Sequence, residues 1–271
     1  MAGTSNGGDA KSATAARIYD YYLGGTHNFP ADREAAEAML RVFPGVPELA
    51  RTNRAFLRRA VRYLAASGVR QFLDIGSGIP TEGNVHEIVQ QVAPGARVVY
   101  VDIDPVAVAE SLELLEGNEL ATAIMGDLLE PQAILSHPQV KELLDFDQPI
   151  GLLLAAVLHF VPDDEAAYEA VGQLRAALAP GSYVVASHAT ADNVDHDQDD
   201  LDVAHDTYRQ KTATPLGLRS RSQFERFFTG LELVEPGLVW LPLWRPAPDD
   251  PQHFIDAPER SSGLAAVGRA L

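Results

Sequence analysis

Cysteine is absent from the chain, which removes disulfides, thiolate metal ligands and thiol nucleophiles together. Lysine is scarce: it occurs at Lys11, Lys141 and Lys211, and arginine supplies the rest of the 21 basic residues. Against 38 acidic residues this leaves a net charge of −17, a surface that repels phosphate backbones and disfavours nucleic acid as a partner. One basic stretch, RTNRAFLRRAVR at 51–62, departs from this trend and is expected to be the solvated face of a helix. Long apolar runs are also missing. The longest, IGLLLAAVLHFV at 150–161, is too short to cross a bilayer and predicts a strand buried on both faces. The opening residues, MAGTSNGGDAKSATA, have no signal-peptide pattern and predict a disordered tail over 1–15. No membrane association and a cytoplasmic location are the expectation.

What the chain does have is 46% hydrophobic residues spread over 271 positions, enough for one large domain with an extension. Residues 16–69 read as a helical extension. Pro30 suits a first helical turn, and Asn53, Phe56, Leu57, Ala60, Val61 and Leu64 fall on one helix face, with Gly68 as a stop. From residue 70 to 271 the pattern changes. Short apolar strands (71–75, 97–103, 121–126, 149–157 and 182–188) alternate with helical segments, which predicts an α/β, doubly wound, parallel sheet.

In that architecture ligands sit beyond the carboxyl ends of the strands. The first strand runs into FLDIGSGIPTEGN, 72–84, where Gly76, Ser77 and Gly78 form a tight loop. A dinucleotide fingerprint needs a third glycine at position 81, which is Thr81. Asp74 is unwelcome beside a pyrophosphate but suits an ammonium. Asp102, with Ile103, ends the second strand, where a carboxylate accepts from ribose hydroxyls; Asp127, with Leu128, ends the third, where it accepts from an adenine amine. A cationic ligand with a ribose and an adenine, and no phosphate, is S-adenosyl-L-methionine. Pro80 is compatible with that ligand because no backbone cradle for phosphate is required.

FLDIGSGIPT, VVYVDIDP, MGDL, LLLAAVLHFVPDD and PGSYVVASH resemble the successive motifs of Rossmann-like S-adenosylmethionine-dependent methyltransferases. ARIYDYYLGGTHNFPADREAA, RTNRAFLRRAVRYL and RSRSQFERFFTGLELVEPGLVWLPLWRP resemble a narrower bacterial family, "S-adenosyl methyltransferase", formerly a domain of unknown function. The resemblance implies a seven-stranded sheet with a reversed final strand and a cofactor held by Asp74, Gly76, Gly78, Asp102 and Asp127. It implies no particular acceptor.

For the chemistry, His159 and His188 end the fourth and fifth strands and are the candidate bases. LHFVPD lacks the run that amino-methylating enzymes of nucleic acids use to grip a planar nitrogen, which points to a small-molecule acceptor, with oxygen, nitrogen and carbon all open. YDYYLGGTHNF is expected to form a lid, in which Tyr19, Tyr22 and Gly25 face either the cofactor or the protein's own packing. The acidic segment 189–206, with His196 and His205, is expected to be a solvated loop that shapes acceptor specificity, without a metal. Two rival readings stay open: a non-catalytic S-adenosylmethionine-binding sensor, and an NAD-dependent oxidoreductase. Oligomeric state leaves no mark on the sequence.

Overall fold

The computed structural model describes residues 12–80, 83–190, 192, 212 and 215–271. Three helices come first: α1 (Ala15–Leu23), α2 (Pro30–Val42) and α3 (Val46–Ala66). Pro30 occupies the first turn of α2 as expected, and Gly68, at φ +96°, closes the α3 turn in a conformation that favours glycine. The expected tail over 1–15 is cut short by its own packing. Ala13 is buried, and Thr14 donates its N–H to Asp32 and its hydroxyl to Asp104.

Strands β1 (Gln71–Ile75), β2 (Arg97–Asp102), β3 (Ala121–Met125), β4 (Gly151–Ala155) and β5 (Tyr183–Ala189) lie parallel, joined by α4 (Val85–Val92), α5 (Pro105–Leu114), the short α6 (Pro131–Ser136) and α7 (Pro138–Leu143), and α8 (Asp164–Ala176). α9 (Arg221–Glu225) follows, then β6 (Glu232–Leu233), β7 (Val239–Trp240) and β8 (Gly263–Arg269). The order is β3-β2-β1-β4-β5-β8-β6, and β7 also pairs with β8. β8 runs antiparallel to β5, the reversed strand that the resemblance implied. The expected count of seven strands becomes eight because the edge strand is in two pieces, β6 and β7, on opposite ends of β8. Pro236 and Gly237 (φ +83°) fall between the two pieces, and proline cannot donate to a ladder.

Strand alternation sends successive side chains to opposite faces, and two apolar layers result. Phe72, Val98, Tyr100, Leu153, Val185 and Val267 face α3 and α4. Leu73, Val99, Val101, Leu152, Leu154 and Val184 face α8 and the aromatic cluster of Phe224, Phe227 and Phe228. The α3 stripe read from the sequence (Asn53, Phe56, Leu57, Ala60, Val61, Leu64) is buried throughout. At about 1.5–3 kcal/mol for each fully buried Leu, Val or Phe, this face makes α3 a layer of the core.

The basic stretch 51–62 is only partly a solvated face. Arg51 and Arg62 are exposed, but Arg59 is buried and donates to the carbonyls of Leu241 and Trp244 and to Asp250. Helical spacing carries Arg59 round to the packed side, where its fork satisfies a C-terminal loop that has no ladder partner. No helix among the described residues is long and apolar enough to cross a membrane.

Candidate active site

The carboxyl ends of β1, β2 and β4 meet at the glycine loop. Gly76 and Gly78 both adopt positive φ, +73° and +69°. At Gly76 a Cβ would lie 2.3 Å from Val157 at the end of β4, so this turn admits only glycine; at Gly78 the same position is open space. The Gly76 and Ser77 N–H groups donate to the Val101 carbonyl, which fastens the loop to β2. Gly78 N–H donates to Asp102 Oδ2 at 2.7 Å, and Asp104 N–H to Oδ1 at 2.8 Å.

Asp102 is buried, and burial pushes its carboxyl up against the pull of those donors. Asp74, four per cent exposed, is pushed up to about 7 by burial, with Arg54 opposing and Asp102 reinforcing. Asp127 is half-buried and spends Oδ1 on Leu129 N–H. Beside these carboxylates the strand ends leave apolar surface in water: Ile103 is 64% exposed and Met125 53%. Leu128 instead turns its side chain into the core, leaving only its backbone for a ligand. A charged, amphipathic ligand with a ribose and a flat apolar base fits this set. The open backbone at Gly78 accommodates it, the carboxyls match its cation and hydroxyls, and exposed Ile103 offers its base a face.

The N-terminal helices cap the same edge. Arg17 is buried and bridges Asp32 of α2 (2.9 Å) to Asp104 (3.2 Å), two residues past Asp102. The signature YDYYLGGTHNF explains itself around Asp20, whose carboxylate accepts from His27 N–H and Asn28 Nδ2. A Cβ on Gly25 would fall 1.9 Å from that carboxylate, so this glycine is demanded by its own loop. Tyr22 is buried in the cap's apolar cluster. Tyr19 donates to the Ala50 carbonyl and accepts from Asn53 Nδ2, both at 3.0 Å; burial pushes its phenol up, and Arg54 pulls the other way. Tyr22 is therefore cap packing, while Tyr19 joins cap to α3 beside Arg54.

The two histidines part company. Ser187 and His188 are neighbours on β5, and the pleat sends them to opposite faces. Ser187 donates to Asn53 of α3, whereas His188 goes under α8 and α9. There His188 Nδ1 meets the Ala189 carbonyl and Nε2 accepts from Arg219 at 3.1 Å, so both ring nitrogens are committed. His188 was expected to project toward the methyl side; strand alternation places it in the core instead, one per cent exposed. His159 stands in a helical turn after β4, its Nδ1 3.5 Å from Ala189 N, its ring 4.3 Å from Phe160. Burial, then Arg219, pushes it down to about 4, and His188 is pushed well below its ordinary value by the same burial.

Two arginines at this edge of the sheet escaped the sequence reading. Arg219, two per cent exposed, donates to the carbonyls of Leu158 and Val161 and to Asp164, pinning the turn that carries His159. Its signal was its place just before Ser220, a helix-capping serine. Arg54 lay hidden in the basic run and reaches the glycine loop through Gly83 O. Thr81, His196 and His205 lie outside the described residues.

Comparison with known proteins agrees with this geometry. The profile of the family described as S-adenosyl methyltransferase matches residues 2–270. A DUF574-family protein from Streptomyces avermitilis is 40% identical, with 97% of this chain and 99% of that one covered and a TM-score of 0.90. A Thermobifida fusca protein assigned as a candidate methyltransferase is 38% identical over 97% and 96%, with a TM-score of 0.88. An O-methyltransferase family protein from Burkholderia thailandensis shares the fold alone, at 13% identity, a TM-score of 0.52 and coverage of 93% and 63%. No functionally curated protein matches the chain. The chain therefore belongs to the S-adenosyl methyltransferase family: it is a methyltransferase, and S-adenosyl-L-methionine is its cofactor.

Proposed function

We propose that the protein methylates a small-molecule acceptor held between the ends of β4 and β5 and the N-terminal cap. The observation that carries this reading is the cap's grip on the acceptor side. Phe160, after β4, and Leu216, after β5, are partly buried in one apolar cluster with Ile18, Tyr22, Ala35 and Met39. A roof attached in this way limits the acceptor to what fits beneath it. The net charge of −17 favours a neutral or cationic acceptor over a polyanion. The lack of cysteine, and of a membrane-crossing helix among the described residues, supports a cytoplasmic location.

The cofactor, when bound, supplies an electrophilic methyl group on a sulfonium; alignment, exclusion of water and proton handling fall to the chain. Asp74 takes the ammonium, Asp102 the ribose hydroxyls and Asp127 the adenine amine. Gly76, Ser77 and Gly78 give backbone approach, Leu128 its N–H, Ile103 a face for the base, and Tyr19 the wall toward the cap. His159, held neutral at pH 7 by burial and Arg219, takes Ala189 N–H on Nδ1 and so turns Nε2–H toward the acceptor, donating to it and orienting it. His188 acts through Arg219 on the turn that carries His159.

The test uses cofactor carrying a labelled methyl group, incubated with purified protein and a cell extract that is then separated into small molecules, protein and nucleic acid. Label is expected in the small-molecule fraction, and the carbon chemical shift of the transferred methyl tells oxygen, nitrogen and carbon attachment apart. Label confined to polymer overturns the acceptor class.

A further inference from the structure

Arg54 stands on α3 one residue past Asn53, at the border of the helix's packed face. It is half-buried and, with Asp74, Ser77, Gly78, Pro80 and Asn84, lines a hollow behind the glycine loop. Its guanidinium donates to the Gly83 carbonyl at 3.2 Å. Arg17, Arg59 and Arg219 each pair with a carboxylate, and among the described residues Arg54 makes no such pair. A half-buried guanidinium with one long hydrogen bond is poorly compensated, and its planar fork matches a carboxylate.

The cofactor's methionyl end carries an ammonium and a carboxylate on the same carbon. An Asp74 that takes the ammonium brings the carboxylate close to a buried acid, and like charges there repel unless a cation faces the newcomer. At the start of α4, Gly83 and Asn84 N–H are already taken by Glu87, and His86 N–H by Tyr100. Arg58 runs past Gly83 outside the hollow.

We propose that Arg54 binds the α-carboxylate of the cofactor, so that Arg54 and Asp74 together read its zwitterionic end. This rests on the assignment of Asp74 to the ammonium. The field of Arg54 already reaches Asp74 and Tyr19, which places it between cap, loop and β1. α3 thereby has a second task besides packing, and a cofactor fragment lacking the amino-acid end gains nothing from it.

The experiment is calorimetric titration of wild type, Arg54→Met and Arg54→Lys with S-adenosylhomocysteine and with 5′-methylthioadenosine, which has the adenosine and thioether but no amino-acid end. Arg54→Met is expected to weaken S-adenosylhomocysteine about thirtyfold, the scale of lost charge-assisted hydrogen bonds, and 5′-methylthioadenosine less than about threefold. Arg54→Lys, which keeps charge without the fork, is expected to regain part of the loss and serves if the methionine variant does not fold. Equal weakening of both ligands, or no weakening of S-adenosylhomocysteine, overturns the proposal. Wild type that binds neither ligand instead removes the cofactor site on which it rests.

Discussion

The carboxyl edge of the sheet has two halves that burial treats in opposite ways. At the ends of β1 and β2, Asp74 and Asp102 are acids pushed up, toward their neutral form. At the ends of β4 and β5, His159 and His188 are bases pushed down, again toward neutrality. One cause, removal from water, thus yields different consequences. On the proposed reading Asp74 gains its charge when the cofactor's ammonium arrives, so the strain of burying it is relieved by binding. The histidines are buried beside Arg219, a fixed cation built into the fold, so they are neutral around pH 7 with or without a ligand. One half awaits its counter-charge; the other is set in advance.

The largest way to sharpen this contrast is Asp74→Asn. Asp74 ordinarily titrates near 3.8 and is raised to about 7, so the folded state holds a proton that the unfolded chain releases between those values. Its contribution is favourable below pH 3.8 and is lost as pH rises through 7. His159 runs the other way: its contribution is present above its ordinary 6.5 and is lost as pH falls through about 4. Asp74→Asn therefore stabilises the protein at pH 8 by up to about 4 kcal/mol, a gain that vanishes toward pH 4. Thermal denaturation against pH reads this directly, and calorimetry is expected to show that cofactor binding is lost. A variant less stable than wild type at pH 8 would mean that donors hold the Asp74 carboxylate ionised.

Arg219→Leu breaks the other half. It orphans the Val161 carbonyl, leaves the Leu158 carbonyl with Val161 N–H alone, and costs about 3 kcal/mol of stability. S-adenosylhomocysteine affinity is expected to stay within about twofold while turnover falls. Removal of the fixed cation also moves His159 back toward its ordinary value, so the acid limb of kcat/KM shifts to higher pH. Arg219→Lys does not restore the turn, because one ammonium cannot reach four acceptors arranged around a fork. An unchanged acid limb would detach Arg219 from His159.

How legible each half was in the sequence follows the same division. The strand ends of β1 to β3 were readable because glycine at positive φ and acids after apolar runs are local signals. β1 is found at 71–75 as expected, and β2 and β3 within a residue of expectation. The acceptor half depends on contacts 30 to 60 residues apart, such as Arg219 with Leu158 and His188, which no local pattern announces. His188 shows the limit well. Its place on a strand end was legible, but which face of the pleat it takes is decided by register against β4 and β8. α6 and α7, six residues each between prolines, were too short for periodicity to show. The split edge strand was likewise hidden in LELVEPGLVW, and the cap's logic surfaced only with Asp20 of α1 buried against the loop that follows it.

A smaller effect separates ligand contact from loop support at Asp102. Asp102→Ala removes the proposed ribose acceptor, and about a hundredfold loss of S-adenosylhomocysteine affinity is expected, about 2.7 kcal/mol. The Gly78 and Asp104 N–H groups lose their acceptor too, so the loop loosens while the sheet, whose ladder does not involve that side chain, keeps its melting transition. Less than a tenfold loss would put the ribose elsewhere.

The smallest expected effect is at His159, and it decides what the preset half is for. A histidine held near 4 is a weak base, so on the proposed reading its part is to orient the acceptor more than to remove a proton. His159→Ala is therefore expected to lower kcat/KM for the acceptor about tenfold, with cofactor affinity unchanged. His159→Gln, which keeps an N–H donor, should recover most of the loss. Wild-type kcat/KM should be flat from pH 6 to 8 as far as this group is concerned, since it is already neutral throughout that range. A thousandfold loss with no rescue by glutamine, together with an inflection near 6.5, would show that His159 regains full basicity in the complex. The acceptor half would then resemble the cofactor half after all, with its charge state set by the ligand.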